Sequence, residues 1–229
     1  MPDLLKTMFD AFHCVYYAIL LCASVLSYLS YKKGNHKYLI LLILFVTTIL
    51  FELLTSFLSA KHNQKHEYIF TMFNAFEYDV LTVYYIKTSN NALMRKLAKL
   101  SAVLFTLNSL VFTILVMYSL KENGKLIVLN IQIEVMLLLI IYTHLLFNID
   151  DDLATPIYKH HDFWTSIGVL VFYSGIFWLL GLYPILSNIN QETAYAAYGS
   201  IMNPLNVFLY VSISVGIICT LWKKEYTAR

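Results

Sequence analysis

Seven apolar stretches follow one another along the chain, separated by short polar breaks. They run over residues 11–31, 38–60, 67–87, 97–120, 126–147, 163–187 and 201–222. A helix needs about 20 apolar residues to cross a bilayer core, and each stretch supplies about that many. The breaks between them are "KKGNHK", "KHNQK", "KTSNNALMRK", "KENGK" and "NIDDDLATPIYKHHD", with a more polar stretch before the last span. These lengths predict an all-α, seven-transmembrane-helix bundle that forms one domain over residues 1–229. Connections this short make sequential helices neighbours.

Composition agrees. Of the 229 residues, 59% are hydrophobic and 13% charged, and the mean hydropathy is +0.64. A soluble domain of this size needs more polar surface over its core. The net charge of +2 is too small to suggest a nucleic-acid partner. The basic residues sit between spans and form no binding arm. Asp3 and Asp10 interrupt the first residues, so no cleavable signal peptide is expected and the first span itself does the targeting.

The placement of Lys and Arg gives a direction. Five of the sixteen lie at the N-terminus and in the second, fourth and sixth connections, and eleven lie in the other connections and at the C-terminus. The positive-inside rule then puts the N-terminus outside and the C-terminus in the cytoplasm, in a multi-pass protein of the cell membrane. Tyr31, Tyr38, Tyr68, Trp164, Tyr183 and Trp222 fall near span ends, where amphipathic rings settle.

Four acids interrupt the apolar runs: Glu52 in the second, Glu77 and Asp79 in the third, and Glu134 in the fifth. No Lys or Arg lies well inside any span. Each acid costs about 2.5–3.5 kcal/mol at mid-bilayer on insertion scales, so all four are expected to face the bundle or water. Rise per residue puts Glu52, Glu77 and Glu134 roughly 12–15 Å from the outer ends of their helices, at one level. On the third span Asn74, Glu77, Leu81 and Tyr84 share a face; on the fifth, Glu134, Leu138 and Tyr142 do. Asp79 lies about 200° around the helix from Glu77 and must meet a different neighbour. Tyr16, Tyr17 and Trp178 come near the same depth.

The candidate ligand- or ion-binding residues are therefore Glu52, Asn74, Glu77, Glu134 and Tyr142. With no internal cation, the acids can carry protons, share them with Tyr and Asn, or bind a cation or cationic ligand. The alternative is a hydrogen-bonded polar knot that only fixes helix packing.

Other signals are weaker. His62 and His66 are four apart beside Glu67 but lack a third metal ligand. His160, His161 and Asp162 are adjacent and cannot all converge on one ion. "NIDDD" lacks the Gly and distal Glu of a calcium loop. His144 reads as a lone packed or interfacial histidine. Cys14, Cys22 and Cys219 lie inside spans without a CxxC pair and read as small packing residues. Gly168 and Gly175, seven apart, share a face and suggest close packing on a neighbouring helix. Pro184 and Pro204 fall near span ends, so the helices read as continuous. No catalytic motif is present, and neither an enzyme activity nor a cofactor is expected.

Four segments, "FELLTSFL", "YIFTMFNAFEYDVLTVYY", "DFWTSIGVLVFYSG" and "NPLNVFLYVSISVG", resemble a group of small, uncharacterised seven-helix membrane proteins of Bacteroidota. The resemblance implies the seven-span topology and adds weight to Glu52 and Glu77; it implies no chemistry. Microbial rhodopsins hold retinal on a Lys in the last span, and "IMNPLNVFLYVSISVGIICTLW" has none, which excludes retinal. The His residues do not reproduce the ceramidase-like hydrolase pattern either. The expected function is a sensor or ligand-binding membrane protein acting through an effector partner. The alternatives are a small proton- or sodium-coupled transporter and a regulatory or structural subunit.

Overall fold

The computed structural model describes residues 2–61, 67–118, 123–149 and 156–226. Within them the chain forms seven α-helices: α1 Pro2–Lys32, α2 Lys37–Lys61, α3 Glu67–Thr88, α4 Ala92–Tyr118, α5 Asn123–Phe147, α6 His161–Ile189 and α7 Gln191–Tyr226. A single 3-10 turn, Ile157–Lys159, precedes α6. Six of the helices are long and apolar enough to cross a membrane. The third is shorter, and Glu77 and Asp79 break its apolar run.

Local chemistry sets several of the ends. Gly34, between α1 and α2, has φ 87°, which a side chain would resist, and its N–H closes the turn on the Tyr31 carbonyl at 2.9 Å. The Asn91 side chain accepts from the N–H groups of Leu93 and Met94, both at 3.1 Å, and so caps the start of α4. The Trp164 indole donates to the Tyr158 carbonyl at 2.6 Å and ties the 3-10 turn to α6.

The helices are packed as a ring with one helix outside it. Going round, α1 touches α2, α2 touches α3, α3 touches α5, α5 touches α6, α6 touches α7, and α7 returns to α1. The remaining helix, α4, lies against α3 and α5 from outside. The core inside the ring contains Leu20, Leu41, Leu44, Phe45, Leu81, Leu138, Val169 and Ile213, all almost wholly buried. The outward faces are apolar too. Leu100, Leu104, Val111, Met136 and Ile140 are among many large apolar side chains left exposed, as expected of surfaces that meet lipid.

The α6–α7 seam is the most extensive contact between two helices, and glycines bring the backbones close there. A Cβ on Gly168 would stand 3.0 Å from Ser212 Cβ and 3.2 Å from the Leu209 carbonyl oxygen, and one on Gly175 would strike Leu205. From the other side, a Cβ on Gly216 would come 2.9 Å from the His161 carbonyl. Small residues let two backbones approach in this way where no hydrophobic force drives helices together.

One reading of the prolines is corrected. The last helix begins at Gln191, earlier than its apolar run, so Pro204 falls inside it and not near its start. Proline removes one backbone donor there, which a long helix tolerates at local cost. The stretch before Pro204 is polar, "QETAYAAYGS", and hydropathy alone cannot extend a helix through it.

Candidate functional site

A cavity of about 540 Å³ lies inside the ring. Every ring helix contributes to its wall: Tyr16 from α1, Phe51 and Glu52 from α2, Phe73, Asn74 and Glu77 from α3, Ile131 and Glu134 from α5, Tyr173 and Ile176 from α6, Asn206 and Tyr210 from α7. The outlying α4 contributes no residue to it. The lining residues run from the middle to the later part of α2 and α6, and from the earlier part to the middle of α3, α5 and α7. That places the cavity in the half of the bundle nearest the α2–α3, α4–α5 and α6–α7 connections.

Three of the four acids set in apolar runs, Glu52, Glu77 and Glu134, line this cavity. The Tyr16 hydroxyl donates to Glu52 Oε1 at 2.6 Å. The Tyr173 hydroxyl donates to Glu134 Oε1 at 3.4 Å and is also within hydrogen-bonding reach of Glu77. Glu134 is 2% exposed, so it sits in the wall, whereas Glu52 and Glu77 are half-buried and look into the space. Asn74 lines the cavity one turn from Glu77.

Tyr142 does not belong to this site. Its hydroxyl donates to the Leu81 carbonyl at 3.0 Å, and its ring is fully buried below the cavity. Tyr142 and Glu134 do share a helix face, but eight residues separate them, about 12 Å along the axis. A shared face fixes direction and leaves depth free. Trp178 is also elsewhere. It is 70% exposed on the outer surface of α6, five residues and therefore about 140° past Tyr173.

Asp79 points away from the cavity. It accepts from Thr106 Oγ1 of α4 at 2.8 Å, and its other oxygen is buried without a partner. The same helix thus sends one acid inward and one outward to α4.

Aromatic rings form much of the cavity wall. Phe51 of α2 and Phe73 of α3 stack with centroids 3.9 Å apart and planes 13° from parallel. Tyr16 and Tyr210 meet at 5.7 Å, and Phe172 meets Tyr173 at 5.0 Å. The sequence showed these rings but not which way they turned.

A second polar cluster, at the opposite end of the bundle, was not recognised from the sequence. Lys37 Nζ lies 3.1 Å from Asp162 Oδ1. The Tyr84 hydroxyl donates to the same oxygen at 2.9 Å and lies 2.7 Å from His161 Nδ1. Thr165 Oγ1 lies 3.2 Å from the same His161 Nδ1, and which group supplies each proton follows the histidine tautomer. His161 Nε2 is buried with no partner among the described residues. The Tyr38 ring stands edge-on to His161 at 4.8 Å, and its hydroxyl donates to Thr220 Oγ1 at 2.7 Å. The sequence offers His160 and His161 only as candidate metal ligands. Here His161 instead joins α2, α3 and α6. His144, read as a packed histidine, is hydrogen-bonded through Nδ1 to the Tyr85 hydroxyl at 2.9 Å.

Among the described residues no group of three or more His, Cys, Asp or Glu converges to hold a metal ion. His62, His66 and Asp150 to Asp152 lie outside the described residues. Cys14 and Cys22 are exposed on the outer face of α1 and Cys219 is partly so on α7; none is paired. No known family model matches the chain, and neither does a curated protein or a solved structure.

Proposed function

We propose that the chain is a multi-pass protein of the cell membrane that binds a ligand in the central cavity and passes that event to a partner protein. All seven helices cross the bilayer in this reading, the N-terminus is outside, and the cavity lies in the outer half. The observation that carries it is the cavity itself: about 540 Å³, open on one side and lined by six helices, in the size range of small-molecule sites, with a few polar groups set in an apolar, aromatic wall. The Lys and Arg distribution supports the orientation. The partner contact is assigned to the basic third connection and the "LWKKEYTAR" segment, which that orientation puts in the cytoplasm. The test combines thermal unfolding in lipid nanodiscs against a broad ligand panel with a pull-down from native membranes. Stabilisation by a panel member and capture of a reproducible partner support the reading. A melting curve indifferent to the whole panel, with only self-association in the pull-down, overturns it.

A second reading, an ion-coupled carrier, is favoured by one feature. The Lys37–Asp162–Tyr84 cluster closes the end of the bundle opposite the cavity, as a shut inner gate would. Proton or sodium flux into reconstituted vesicles, abolished by Glu77→Gln, would establish the carrier. Tight vesicles would leave the sensor.

A further inference from the structure

We infer that the cavity takes an organic cation, an amine or quaternary ammonium carried on an aromatic or branched apolar body. The inference rests on the ligand-binding reading above and names the chemistry of its ligand. Its first ground is charge. Glu52, Glu77 and Glu134 line the space, and no Lys, Arg or His among the described residues lines it with them. By contrast Asp162, at the other end of the bundle, has a counter-charge in Lys37 at 3.1 Å; Asp79, outside the ring, has a hydroxyl, Thr106, and does not face the space. The cavity acids have only tyrosine hydroxyls and one another, so an ionised carboxylate there finds its counter-charge in whatever occupies the space.

The second ground is that the three acids do not all converge on one point. Glu77 and Glu134 share the Tyr173 hydroxyl whereas Glu52 is bonded to Tyr16, and among the described residues no group of three acids could hold a metal ion. A bare inorganic ion needs several oxygens at one point. A cation spread over an ammonium and its carbon substituents can be met by carboxylates on different walls.

The third ground is the wall between them. The face of an aromatic ring attracts a cation, most strongly where water is excluded. The stacked Phe51 and Phe73, and Tyr16 with Tyr210, bring such rings beside Glu52. Ile131, Ile176 and Leu179 offer an apolar surface for the rest of the molecule. Asn74 and Asn206 also line the cavity, and among the described residues neither amide has a hydrogen-bond partner. Both are available to a hydroxyl or carbonyl on the ligand.

The experiment uses three probes that share one body and differ in charge: 2-phenylethylammonium, 2-phenylethanol and phenylacetate. Each is titrated calorimetrically into the full chain in nanodiscs, with empty nanodiscs subtracted, and benzyltrimethylammonium is run as a quaternary probe. The expected result is saturable binding of the two cations, at least tenfold tighter than the alcohol, with no binding of phenylacetate. Glu77→Gln should weaken the cations at least tenfold and leave the alcohol unchanged; Glu52→Gln is the second variant should the first not fold. An alcohol that binds as well as its ammonium overturns the cation assignment and leaves the ligand site standing. No binding of any probe up to millimolar concentration overturns both.

Discussion

The Tyr16 hydroxyl on α1 and the Glu52 carboxyl on α2 meet at 2.6 Å on the cavity wall, thirty-six residues apart in the chain. This bond holds the first helix pair in register and points one acid into the open space. Hydrogen bonds between membrane helices average about 0.6 kcal/mol in double-mutant cycles, with a maximum of about 1.7 kcal/mol. A cycle of Tyr16→Phe and Glu52→Gln, read by unfolding in mixed micelles, should therefore show a coupling in that range. A coupling of zero would mean that the two side chains do not meet in the folded protein.

Thr106→Val should destabilise the fold and leave cavity binding untouched. It removes the one hydrogen-bond partner that Asp79 has among the described residues, where its second oxygen already lacks one. Stranding a buried polar group costs about 1–3 kcal/mol. Adding Asp79→Leu should return most of the loss, because both polar partners are then gone. Failure of the double variant to recover would show that Asp79 has a further role.

The glycines of α6 and α7 should rank by what their new methyl group meets. Gly216→Ala drives Cβ to 2.9 Å from the His161 backbone oxygen, which cannot swing aside. Gly175→Ala meets the end of Leu205, a side chain that can move. Gly181→Ala meets nothing within 4 Å. Overpacking costs about 1–3 kcal/mol, so melting temperatures should fall most for Gly216→Ala, less for Gly175→Ala and not at all for Gly181→Ala. A fully tolerated Gly216→Ala would place the α6–α7 seam wrongly.

Lys37→Met should have a modest, salt-dependent effect. The two side chains of the Lys37–Asp162 pair are 26% and 24% exposed, so water screens part of their attraction. Exposed pairs contribute about 0–1 kcal/mol. The wild-type advantage, measured by thermal unfolding, should shrink between low salt and 1 M. If it is unchanged, Lys37 acts through its apolar stem against Tyr38 and not through its charge.

The helices were legible because each apolar run is as long as a bilayer is thick. The opposite directions of Glu77 and Asp79 followed from 3.6 residues per turn alone. What escaped was the coordinate that periodicity does not carry. Tyr142 has the direction of Glu134 but not its depth. The Lys37–Asp162 pair joins residues 125 apart, and nothing local to "KHHDFW" announces a lysine from α2. The ring arrangement escaped for the same reason. Short connections establish that α3, α4 and α5 are neighbours in turn, but not that α3 and α5 also touch directly and push α4 outside.

The outlying position of α4 bears on how the chain can be made. Of the seven helices, α3 is the one whose composition falls short of a membrane-crossing segment, and it has an acid on either side. Released alone into lipid during synthesis, it would expose Glu77 one way and Asp79 the other. The next helix to emerge is α4, which brings Thr106 to Asp79 and covers that side with an apolar surface. The α3–α4 hairpin thus pairs Asp79 within two helices, as the α1–α2 hairpin pairs Glu52 through Tyr16. Glu77 has no such partner in its own hairpin; the hydroxyl that reaches it, Tyr173, comes from α6, so its surroundings are complete only when the ring is closed.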